Sequence, residues 1–149
     1  MKVTSLLTII TTVTILSACA STVIIPEGTP TASIEITNNL EGGYLYLQRA
    51  GIAETCSGGW GKRIIAKKDK IAQYNTIANE DNSFLLQQFP QPDDIQCTAI
   101  ITVNLAESET ISLSFNKNED GICFVEGQTE KVIVREYQRS SDGFCKPSL

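Results

Sequence analysis

The chain has no histidine among its 149 residues, and a single tryptophan, Trp60. Without histidine the commonest general base is missing, and with it the usual partner of a serine or cysteine nucleophile. Cations are scarce as well: 12 Lys and Arg stand against 17 Asp and Glu, a net charge of −5. An acidic chain is a poor ligand for nucleic acid or for an anionic membrane face. Acidic and basic residues are interspersed, so no charged tail is present. No repeat at solenoid spacing is found. Short Cys-x₂₋₄-Cys pairs are absent too. Cys56, Cys97, Cys123 and Cys145 are separated by 41, 26 and 22 residues, which with no histidine argues against a zinc site.

What is present begins at the N-terminus. Lys2 supplies a positive charge, and residues 6–16 form an eleven-residue uncharged run of seven Leu, Ile or Val and four Thr. Two small residues, Ser17 and Ala18, follow it. That order is the order of an export signal. The run is shorter than the roughly 20 residues a membrane-spanning helix needs.

Leu16, Ser17, Ala18 and Cys19 resemble the lipobox of bacterial lipoproteins at all four positions. The resemblance covers residues 1–19 only. It implies cleavage before Cys19, a diacylglyceryl thioether on the Cys19 thiol and a further acyl chain such as palmitate on the freed amine. Each buried CH₂ contributes about 0.8 kcal/mol, so two or three chains hold a protein on a bilayer where one would not. The resemblance also carries a sorting rule, by which Asp after the lipidated Cys retains a lipoprotein at the inner membrane. Ala20 and Ser21 follow here, so the expected place is the cell envelope, at the outer membrane and facing the periplasm. The lipid bilayer is thus one expected partner.

The expected organisation is a signal peptide over 1–18, a lipidated Cys and short tether over 19–32, and one disulfide-bonded domain over 33–149. Loss of Lys2 with the signal leaves 11 basic and 17 acidic residues in 131, a net charge of −6. A chain of that length can bury a core of its own. The tether contains Pro26, Gly28 and Pro30, although Val23, Ile24 and Ile25 are apolar enough to dock on the domain.

From residue 33 onward the hydrophobic pattern has period two. Ile34 and Ile36 alternate with polar residues, as do Leu45 and Leu47, and the turn-like residues 38–43 between them predict a hairpin. The clearest strand is 95–105. It places Ile95, Cys97, Ala99, Ile101, Val103 and Leu105 on one face, with Ile100 an exception on the other. Ile111, Leu113 and Phe115 continue the pattern. Residues 121–126 and 130–137 predict a second hairpin through Gly127. Weaker strands are expected at 62–66, 70–77 and 83–89. The fold class is therefore all-β, an antiparallel sandwich or small barrel of about eight short strands.

With Cys19 acylated, four cysteines remain for two disulfides in an oxidising compartment. The second hairpin and the turn residues Asp142 and Gly143 favour Cys123 with Cys145, leaving Cys56 for Cys97.

Several candidate sites compete with structural readings. The close acidic pairs Asp93/Asp94, Glu107/Glu109 and Glu119/Asp120 all fall in predicted turns, where solvated carboxylates are commoner than catalytic dyads. Asn116, Asn118, Asp120 and Gly121 resemble the start of an EF-hand loop. The first ligand position is Asn, however, and the twelfth is Gly127. Residues 57–63 are Gly-rich but lack the Walker spacing. No metal, no cofactor and no catalytic residue is expected. Trp60, flanked by glycines and followed by Lys62 and Arg63, is a candidate binding anchor or an inward plug. Tyr44 and Tyr46 share a strand face; exposed, they suit stacking on a sugar or packing on a partner, and packing across strands is the structural alternative. The expected function is a non-enzymatic envelope lipoprotein that binds another envelope protein or serves as an assembly subunit. A glycan-binding, small-ligand or enzyme-inhibitor module is the alternative, and a hydrolase the third reading. A flat apolar patch would favour the first, and aromatics lining a concave surface the second.

Overall fold

The computed structural model describes residues 24–90, 97–135, 137–140 and 143–145. Cys19 with its lipobox, Ile95, the Asp93/Asp94 pair and Asp142 lie outside the described residues. The described chain forms twelve strands: β1 (Thr31–Asn38), β2 (Tyr44–Ile52), β3 (Ser57–Trp60), β4 (Ile64–Ala66), β5 (Ile71–Ile77) and β6 (Asp81–Phe89), then β7 (Thr98–Asn104), β8 (Thr110–Lys117), β9 (Cys123–Gly127), β10 (Val132–Arg135), β11 (Tyr137–Ser140) and β12 (Gly143–Cys145). The smaller sheet runs β5-β1-β8-β9 and the larger β10-β7-β6-β2-β3, with β4 also pairing on β2. The two sheets pack face to face as a sandwich and do not close into a barrel. One pair, β1 with β8, is parallel; the other pairings are antiparallel.

Period-two alternation builds the core. Ile34 and Ile36 of β1, Leu45 and Leu47 of β2, Phe84 and Leu86 of β6, Ile101 and Val103 of β7, and Leu113 and Phe115 of β8 all point between the sheets. Cys97, Ala99 and Leu105 are buried with them, as their parity predicts. Burying such side chains contributes about 1.5–3 kcal/mol each.

Both predicted hairpins are corrected. The chain leaving β1 does not turn back onto it, because β1 and β2 lie in different sheets. Leu40, between the two strands, is fully buried, and the segment crosses the end of the core to reach the facing sheet about 10 Å away. The Asn38 side chain fixes this crossing: its Nδ2 donates to Ala66 O at 2.9 Å and its Oδ1 accepts from Leu40 N at 3.0 Å. On the far side Gln88 Nε2 donates to the carbonyls of Glu41 and Gly42. Likewise β9 pairs with β8 in the smaller sheet while β10 pairs with β7 in the larger. A single 3₁₀ turn, Thr129–Lys131, carries the chain across.

The expected disulfide pairing changes with the second hairpin. The bonds are Cys56–Cys145 and Cys97–Cys123, with Cα atoms 5.5 and 5.4 Å apart. Cys97 enters β7 of the larger sheet and Cys123 opens β9 of the smaller, so their bond staples sheet to sheet. The β11–β12 ribbon reaches back to the turn after β2, where Cys145 N donates to Thr55 O. Cys145 and Cys56 join Ala50 and Ile100 in a second, smaller core, with Trp60 and Leu85 packed against it. Ile100, the odd residue of its strand in the alternation, is thus buried on the outer face of the larger sheet.

Candidate functional site

The outer face of an antiparallel sheet usually meets water and is polar. At one end of the larger sheet it is not. Tyr44 and Phe89 stand directly opposite each other on β2 and β6. One step along, Tyr46 sits between Ile65 of β4 and Gln87 of β6. Phe89 and Ile65 are 53 % and 55 % exposed. The Tyr46 and Phe89 rings stack with centroids 5.4 Å apart and planes 26° off parallel. Arg63 lies over the Tyr46 ring, its guanidinium carbon 4.9 Å from the ring centre. Gln48 holds that arginine, accepting from Arg63 Nε at 3.3 Å and donating to Gly61 O at 3.4 Å. The outer face of the sheet thus carries three aromatic rings, an isoleucine and a cation whose position is fixed on two sides.

Of the residues singled out in the sequence, Tyr44, Tyr46 and Arg63 come together here. Lys62 and Trp60 do not. Lys62 lines a separate cavity with Arg49, Ile64, Tyr74 and others. Trp60 is half-buried beside the Cys56–Cys145 core. Phe89 and Ile65 escaped the sequence reading because they belong to other strands, and only register places them beside Tyr46. The one available signal was parity: Phe89 follows a run whose alternate members Phe84, Leu86 and Gln88 face inward, so it must face out.

Among the described acidic pairs Glu109 has structural partners. Glu109 accepts from Ala106 N and pairs with Lys131, and that hydrogen bond holds its carboxyl below the usual range. Asn118 Oδ1 accepts from Ile122 N at 2.8 Å within an exposed turn. Among the described residues no three Cys, Asp or Glu side chains converge as metal ligands. No described helix is long and apolar enough to cross a membrane. No known family model matches the chain, and no curated protein is significantly similar to it.

Proposed function

We propose that this protein is a lipid-anchored, non-enzymatic lipoprotein of the cell envelope that docks another envelope protein through the aromatic face of its larger sheet. The observation that carries the reading is the exposed strip of Tyr44, Tyr46, Phe89 and Ile65 flanked by Arg63. Aromatic residues and arginine dominate the binding energy of protein interfaces, where their large rigid surfaces lose little entropy on contact. The strip lies on the outer face of the sheet, where a partner protein can reach it. Two disulfides are compatible with an oxidising compartment. The lipobox resemblance supplies the anchor: acyl chains on Cys19 would hold the domain at the outer membrane, facing the periplasm.

A photo-crosslinking amino acid placed at Phe89 tests this in cells. The expected result is a discrete adduct with one envelope protein, absent when the probe is at Ile71 on the outer face of the smaller sheet. Tyr46→Ala should reduce the Phe89 adduct by about tenfold or more, the loss of a single aromatic anchor. Cys19→Ala should strand the chain as unprocessed precursor and abolish the adduct. Equal labelling from Phe89 and Ile71 refutes the docking face; normal processing and membrane retention of the Cys19→Ala chain refutes the anchor.

A further inference from the structure

At the edge of the sandwich, between β5 and the segment that joins β3 to β4, a cavity of about 320 Å³ is lined by Ile25, Arg49, Lys62, Ile64, Gln73, Tyr74 and Asn75. Arg49 is held rigidly at its base, with a side chain only 6 % exposed. Its Nε donates to Asn82 Oδ1 at 2.7 Å and its Nη2 to Glu80 Oε1 at 3.1 Å. The remaining nitrogen, Nη1, has no hydrogen bond among the described residues. A guanidinium fixed by two of its three nitrogens presents the third without further loss of side-chain entropy. Lys62 forms no ion pair among the described residues. Tyr74 keeps its proton firmly: burial raises the phenol, outweighing the lowering effects of Arg49 and of the Lys62 backbone amide. Gln73 and Asn75 also line the cavity, and Ile25 and Ile64 add an aliphatic wall.

We propose that this cavity binds the carboxylate of a small organic acid, with Arg49 and Lys62 as the anion-holding pair. Charge selects the class. Arg49 and Lys62 contribute two positive charges and Glu80 returns one negative charge, which leaves one for a monovalent anion. A doubly charged phosphate would meet too little compensation in a site whose base is desolvated. The volume lies at the small end of ligand pockets, so the rest of the acid is small. The cavity opens at the sheet edge, and Lys62 and Arg63, adjacent in the chain, serve the cavity and the aromatic strip separately.

Backbone amide NMR shifts of the purified full chain test this, with D-glucuronate, acetate, D-glucose and inorganic phosphate as probes. Glucuronate and acetate should shift the amides of residues 61–64 and 73–75 saturably in the millimolar range, and glucose should not. Lys62→Gln should weaken glucuronate about five- to tenfold while Lys62→Arg retains it, since one charge-assisted hydrogen bond at a partly exposed site is worth about that factor. The proposal is overturned if neither carboxylate gives a saturable response, if glucose binds as well as glucuronate, if phosphate binds more tightly than both acids, or if Lys62→Gln changes nothing.

Discussion

Gly61 tests the packing between the two candidate surfaces. Its N–H donates to Arg49 O at 2.7 Å, which ties the 61–63 segment to β2. A methyl group on Gly61 would fall far inside contact distance of Tyr74 Oη, while the next atom, Cζ, would be at 3.4 Å. A C···O contact needs roughly 3.3 Å, so the phenol would have to withdraw by about 1 Å. Phe84 restricts that movement on one side. The Tyr74 ring stands edge-on to Phe84, centroids 5.5 Å apart, and Phe84 is fully buried. Overpacking a fixed site costs about 1–3 kcal/mol. Gly61→Ala should therefore lower stability by about 2 kcal/mol, a fall of about 1–1.5 M in the urea midpoint with the disulfides intact. Removing the phenol oxygen removes the obstacle. Tyr74→Phe alone should cost about 1 kcal/mol for the lost polar contact with the Lys62 amide. On that background Gly61→Ala should cost about 0.5 kcal/mol or less, so the two changes couple by about 1.5 kcal/mol. Equal costs of Gly61→Ala in both backgrounds would refute the reasoning, since Tyr74 Oη would then not be what excludes the methyl group.

Two further outcomes are expected. Non-reducing peptide mapping should recover Cys56 joined to Cys145 and Cys97 joined to Cys123. Replacing the first pair, 89 residues apart, should cost about 4.5 kcal/mol by chain entropy, against about 3.5 for the second pair, 26 apart; a Cys56–Cys97 peptide or the reverse order of costs would contradict the fold. The second concerns alkaline stability. Burial raises the Tyr74 phenol above its ordinary value of 10.0, so its contribution is complete below pH 10 and is lost as pH rises through the folded value. Urea midpoints measured from pH 9 to 11.5 should fall less steeply for Tyr74→Phe than for the parent chain, and parallel profiles would show that the phenol is not held protonated by the fold.

Much of the interior was legible in the residues. The inward set of β7 follows from alternation alone, and Cys97 takes its place in it. The weaker strand candidates at 62–66, 70–77 and 83–89 correspond to β4, β5 and β6. The sequence also showed the turns at 38–43 and around Gly127, but not their direction. Leu40 was the missed clue at the first: a buried leucine between two strands marks a segment that dives across the core instead of turning at the surface.

By itself, then, the chain determined that it would be all-β and which side chains would face inward along β1, β2, β7 and β8. Those properties are local, because side-chain alternation repeats every two residues whatever the strand's neighbours are. Only the tertiary structure decided which strands pair, and so which cysteines meet. It also decided that Tyr44 and Tyr46 of β2 stand beside Phe89 of β6 and Ile65 of β4, and that Arg49 and Lys62 share a cavity with Tyr74. Each of these depends on register between segments far apart in sequence, and on whether a turn stays within one sheet or crosses to the other.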